Sequence, residues 1–151
     1  MALAHFIRPV ELADAAAWQR MRETLWPDES GDHAREIAQY LSGRRSNPAE
    51  VLVACLGSGT PIGFVELSIR AYAEGCSSDR VAFVEGWFVA PEYRRQRVGA
   101  SLIAAAEEWG RTSRCTELAS DTQVFNESSI AAHKALGFAE VERLVCFRKP
   151  L

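Results

Sequence analysis

The chain has 151 residues, 48% apolar and 25% charged, the size and mixture of one globular domain. Its net charge of −3 argues against nucleic acid as a partner, because phosphate binding shows as a basic excess. No apolar run approaches the roughly 20 residues of a membrane-spanning helix, and no basic segment followed by a long apolar stretch opens the chain, so a cytoplasmic protein without membrane association is expected.

Residues Leu3 to Arg8 read as an opening strand that ends at Pro9. Leu12, Ala15, Trp18, Met21 and Leu25 recur at helical spacing, so Glu11 to Leu25 is expected to form an amphipathic helix. Trp26-Pro27 stops it, since proline disfavours helix in the residue before it. A second helix is expected over Asp32 to Gly43, with Ile37, Tyr40 and Leu41 inward. Val51 to Leu56 is continuously apolar, the pattern of a strand buried on both faces. Gly57 to Thr60 turns the chain back into Pro61 to Ile69, a hairpin partner, and Ala71 to Asp79 is a loop tipped by Gly75. Val81 to Ala90 is a second apolar strand. Val98, Leu102, Ile103, Ala106 and Trp109 then mark a helix, Glu117 to Ser120 a short strand, and Ile130 to Leu136 a helix closed by Gly137. Val141 to Arg148 is expected to add one or two closing strands. The order is β-α-α-β-β-β-α-β-α-β, one mixed α/β (α+β) domain over residues 1–151 around a single sheet.

Cys55, Cys76, Cys115 and Cys146 are scattered without metal-ligand spacing, and His5, His33 and His133 are isolated, so no metal is expected. The informative stretch is Val89-Ala90-Pro91-Glu92-Tyr93-Arg94-Arg95-Gln96-Arg97-Val98-Gly99-Ala100. It joins a buried strand to a helix start, where unpaired N–H groups favour an anion. Arg94, Arg95 and Arg97 add positive charge, and Gly99 lets a ligand approach, so the turn suits a pyrophosphate.

This stretch resembles the coenzyme A signature of the GCN5-related N-acetyltransferase superfamily, Arg/Gln-x-x-Gly-x-Gly/Ala, with Arg97 at the first glycine position. The lead-in Val89 to Arg94, Leu102-Ile103 and Leu136-Gly137-Phe138 match the same superfamily. The resemblance implies a mixed central sheet flanked by helices, with two splayed strands forming the coenzyme A cleft. It implies acetyl-CoA as cosubstrate, held by Trp87, Phe88, Val89, Arg94 to Ala100 (Gln96 and Val98 included) and Asn126. A backbone N–H in Trp87 to Val89 would serve as oxyanion hole.

Leu25-Trp26-Pro27, Phe83 to Gly86, Ala119 to Thr122 and His133 to Phe138 resemble the aminoglycoside 6'-N-acetyltransferases more narrowly. That resemblance implies Trp26, Tyr72, Glu85 and Asp121 as contacts to a polycationic amine, with Asp28, Glu29 and Asp32 extending an acidic wall. Glu85 inside an apolar run needs a cationic partner, which leaves open a structural ion pair with a core-facing arginine. Asp121 leaves open a turn or helix cap. Direct transfer in a ternary complex requires a neutral amine, with Glu85 or Asp121 accepting its proton. His133, where many superfamily members carry a tyrosine, is either a proton donor to the thiolate or a cap on the pantetheine channel. The same fold acting on a polyamine, a metabolite or a protein N-terminus, or binding coenzyme A without turnover, stays open at this point. The terminal strand, as an unpaired edge, suggests a homodimer.

Overall fold

The apolar runs form a five-stranded sheet in the order β1-β2-β3-β4-β5, described by a computed structural model over residues 3–27 and 32–151. The strands are β1 (His5–Pro9), β2 (Glu50–Leu56), β3 (Pro61–Arg70), β4 (Val81–Val89) and β5 (Leu118–Ser120). The first four pair antiparallel and β5 joins β4 in parallel. Helices α1 (Ala15–Leu25) and α2 (His33–Leu41) lie between β1 and β2, α3 (Val98–Thr112) follows β4, and α4 (Glu127–Ala135) follows β5.

Both faces of the sheet are covered, which explains the uninterrupted apolar character of β2. Val51, Val53 and Cys55 pack with Trp18, Met21, Ile37 and Tyr40 of α1 and α2. Leu52 and Ala54 pack with Leu102, Ile103 and Ala106 of α3 on the opposite face. The expected helix over Glu11 to Leu25 is a turn of 3-10 helix at Leu12–Asp14 running into α1. It ends at Trp26, as the proline after it requires.

One expected element is absent. Residues 138–151 form no strand and no helix, so Val141 to Arg148 is not a strand within this chain. A strand needs an edge to pair with, and β5, its nearest candidate in chain order, is only three residues long. Val141, Leu144, Val145 and Phe147 are therefore exposed. The segment touches the body at Gly75, where a Cβ would lie 2.6 Å from Val141.

The core face under α1 holds one carboxylate. Glu66 is 2% exposed, accepts a 2.9 Å hydrogen bond from Trp18 Nε1 and lies 3.0 Å from Arg22 Nε. Arg22 also donates to Glu36 at 2.6 Å. Burial outweighs the nearby Arg22 charge and the Trp18 bond and pushes the Glu66 carboxyl up from 4.5 to about 7. The folded state thus binds the proton more tightly than the unfolded chain does. Its contribution to stability is complete below about pH 4.5 and is lost as pH rises through about 7, a span worth about 3 kcal/mol. In urea unfolding, the stability of the wild type relative to Glu66→Gln should fall by about that amount between pH 4.5 and pH 8. A difference independent of pH would mean that Glu66 is ionised throughout.

Candidate active site

The site is built on an irregularity between β3 and β4. Glu66 pairs with Gly86 and Leu67 with Val84, so Glu85 faces no partner and bulges from β4. A bulge re-aims a side chain and ends regular pairing. On the other edge of β4, β5 pairs only with Ala82, Phe83 and Val84, the last opposite Ser120. From Glu85 to Val89, β4 has no neighbour on that side among the described residues, and this is the splayed gap expected from the sequence.

Glu85 is the partly buried carboxylate at the mouth of the gap. Arg70 holds it through two bonds, Nε to Oε1 at 2.9 Å and Nη2 to Oε2 at 2.7 Å. Ser68 Oγ also donates to Oε1. The guanidinium lies 3.5 Å from the Phe83 ring centroid, which fixes its plane. The cationic partner left open by the sequence is therefore Arg70, at the end of β3.

Beside Glu85, a Cβ on Gly86 would meet Trp26 at 2.5 Å, so only glycine lets that indole lie against the sheet. Trp26 stacks on His33 with centroids 6.4 Å apart, and the Arg22 guanidinium sits 5.2 Å from its ring. Trp26 and Glu85 share a cavity of about 440 Å³ with Glu36, Glu66, Arg22 and Arg44. Tyr72, in the loop after β3, is exposed and outside the cavity lining. Asp121 is exposed directly after β5, and its charge is felt at Arg70, as is that of Glu74. The following helix is capped by Asn126, whose Oδ1 accepts from Ser129 N at 3.1 Å. Asp32 makes an exposed ion pair with Arg35, while Asp28 and Glu29 lie outside the described residues.

The opposite side of the gap carries the arginine turn. Arg95 and Arg97 have φ of 61° and 69°, and Arg97 is the residue before α3 in the left-handed region. Arg97 thus takes the backbone conformation that glycine reaches without strain, at a penalty of about 1–2 kcal/mol. Its side chain is exposed. Arg94 folds back, donating from Nε to Val89 O at 2.8 Å, and Gln96 donates to Glu92 O. Helical geometry leaves the first N–H groups of α3, around Val98 to Ala100, without intrahelical acceptors.

Gly99 packs closely on Trp87: a Cβ there would lie 3.1 Å from Cζ2, so the ring would have to shift by a few tenths of an ångström to admit one. Trp87 Nε1 is buried and has no acceptor among the described residues. A donor stranded in this way is destabilising by about 1–3 kcal/mol unless a ligand accepts from it. Phe88 is turned to the other face and packs on Phe64. His133 is fully engaged, with Nδ1 2.7 Å from Ser129 O and Nε2 2.8 Å from Ser120 Oγ. A carbonyl only accepts, so Nδ1 carries the proton and the Ser120 hydroxyl donates to Nε2 in the neutral ring. Trp87 and Phe138 both contact the ring edge-on at 5.2 Å.

Sequence reasoning missed Arg70, Ser68, Glu66, Ser120 and the Trp87 donor. Glu66, Ser68 and Arg70 had a readable signal, since alternate residues of a strand share a face and these three are polar within an apolar strand.

The sequence profile of the acetyltransferase (GNAT) family matches residues 18–138. The chain is 55% identical over 146 residues to aminoglycoside N(6')-acetyltransferase type 1 of Klebsiella aerogenes, covering 96% of each protein. Its identity to the protein of the same name from Stenotrophomonas maltophilia is 43% over 152 residues, covering 100% of this chain and 97% of that one. Among solved structures, AAC(6')-Iy in complex with the bisubstrate analog CoA-S-monomethyl-acetylneamine superposes with a TM-score of 0.88 at 37% identity, over 98% of this chain and 99% of that one. An acetyltransferase sheet with its splayed strands, carrying a sequence matched along almost its whole length, has one assignment: the chain belongs to the acetyltransferase (GNAT) family.

Proposed function

We propose that the protein transfers the acetyl group of acetyl-CoA to the 6'-amine of aminoglycoside antibiotics, by direct attack in a ternary complex. The observation that carries this reading is Glu85, bulged into the mouth of the β4–β5 gap beside a cavity that Glu36 also lines. Carboxylates at a cleft attract and orient a polycation. The named activity of the relatives at 55% and 43% identity supports the same substrate class.

Acetyl-CoA enters from the arginine side of the gap. Its pyrophosphate meets the first turn of α3 with Arg94, Arg95 and Arg97, and its pantetheine runs beside the free edge of Trp87 to Val89. The stranded Trp87 Nε1 donor fits a ligand in this region. A backbone N–H of that edge polarises the thioester carbonyl. The amine comes from the cavity, its sugar against Trp26, with Tyr72 and Asp121 at the rim. Glu85 or Asp121, directly or through water, accepts the proton that leaves the nitrogen. The sulfur leaves as thiolate and is protonated by solvent, or by His133 in its doubly protonated form, whose Nε2–H replaces the proton that Ser120 gives to sulfur. A cytoplasmic location belongs to this reading, since acetyl-CoA is available there and all four cysteines are free.

The direct check is release of coenzyme A thiol on mixing the protein with acetyl-CoA and tobramycin, alongside an aminoglycoside bearing a 6'-hydroxyl. Turnover with the first and none with the second is expected. Turnover with neither would reject the antibiotic reading and direct attention to polyamines, metabolite amines and protein N-termini.

The reading includes a homodimer. The segment after Phe138 leaves Val141, Leu144, Val145 and Phe147 exposed and without strand partners, a combination that a second copy relieves. Light scattering should give twice the chain mass, and Leu144→Glu with Phe147→Asp should give a folded monomer. A wild-type monomer would reject the dimer.

A further inference from the structure

Glu85 is already neutralised in the free enzyme, and this bears on how the acceptor amine loses its proton. The Arg70 fork occupies one lone pair on each Glu85 oxygen, and Ser68 occupies a second on Oε1. A carboxylate offers about four such sites, so one remains for the substrate. An ammonium bonded there lies within about 6 Å of the guanidinium, the range over which a like charge disfavours the charged form. An isolated Glu85 carboxylate would act the opposite way, holding the substrate as ammonium, the form that cannot attack.

We propose that Arg70 is a positioning residue that cancels the grip of Glu85 on the acceptor proton, so that the bound amine is held in place but reacts as the neutral base. The inference rests on the acetyltransferase reading above and deepens it. In the step itself, one proton leaves the nitrogen for water or a site carboxylate. The lone pair of the neutral amine forms the N–C bond while the C–S bond breaks and its electrons leave on sulfur, the ammonium proton having gone to solvent before attack.

The surroundings keep Arg70 in this role. Its guanidinium lies over Phe83, and Asp121 after β5 and Glu74 in the β3–β4 loop favour its charged form from outside the pair. On the α1 and α2 side, the cavity presents Arg22, Arg44, Glu36 and Glu66, among which Arg22 is bonded to Glu36 and close to Glu66. Arg70 is therefore the cation bonded directly to Glu85.

The test compares wild type, Arg70→Gln and Arg70→Lys in single-turnover acetylation of tobramycin across pH, with KM measured in parallel and folding followed by thermal melting. Arg70→Gln should move the acid limb of the rate upward by about one pH unit, a tenfold loss below the limb that is recovered above it. Its KM for tobramycin should fall, because the ammonium is then held more tightly. Arg70→Lys, which keeps the charge but loses the fork, should leave the limb near its wild-type place. If Arg70→Gln does not fold, Arg70→Lys carries the test through the position of its limb. A loss uniform across pH, a raised KM in Arg70→Gln, or a limb displaced in Arg70→Lys would overturn the proposal in favour of simple orientation of Glu85. Absence of wild-type turnover would overturn the acetyltransferase reading on tobramycin and this inference with it, an outcome separate from turnover with an unmoved limb.

Discussion

The extra residue in β4 is the constraint on which the site depends. With α1 and α2 on one face of the sheet and α3 on the other, a regular β4 would have to bury every side chain it carries. The register shift between Glu66 and Leu67 frees Glu85 from facing a partner and sets Gly86 beside it, against the Trp26 ring. Pairing with β5 stops one residue earlier, at Val84. One local irregularity thus accompanies the carboxylate, the aromatic wall and the start of the gap. Moving the bulge by one residue would send Glu85 to a different face, because side chains alternate along a strand.

Polar groups beneath α1 are affordable only because they are arranged in pairs. Glu66 takes Trp18 Nε1 and the Arg22 charge, Arg22 takes Glu36, and Glu85 takes Arg70 and Ser68. Buried ions need such partners, since removing one leaves the other uncompensated. The consequence for function is that the cavity attracts cations through carboxylates that are already partly neutralised. A polycationic sugar can then be bound without each amine being locked as an ammonium.

Much of this was legible in the sequence. Proline at Pro9, Pro27 and Pro91 and glycine at Gly137 marked element ends, and helical or continuous apolar spacing marked α1, α3, β2 and β4. Glu85 stood out because a lone carboxylate in an apolar run demands an explanation, and the arginine turn because charge and glycine met at a helix start. The identity of the partner was not legible. Arg70 and Glu85 lie fifteen residues apart, and their meeting depends on a register shift that no residue pattern announces. The closing strand failed for a related reason: Val141 to Arg148 has strand-like composition, but a strand exists only where an edge receives it.

The arginine turn places a side chain in a conformation that favours glycine. Arg97, at the position of the signature's first glycine, has φ of 69°, a value glycine reaches without strain. Arg95 does likewise at 61°, so two side chains sit in a region that L-residues enter only under compulsion. Compulsion is available because Tyr93 and Arg94 are tied back to Ala90 and Pro91, Arg94 to Val89, and α3 is buried through Val98, Leu102 and Ile103 immediately after the turn. In exchange for the strain, an arginine stands where glycine would have carried no charge, directly before N–H groups that favour an anion. Strain at the turn and the unpartnered Trp87 Nε1 lie on the same side of the gap, while a second buried donor without an acceptor, Arg22 Nε, lies on the cavity side. Each side of the site thus keeps one buried donor without a hydrogen-bond acceptor, and the strained turn adds its cost on the arginine side alone.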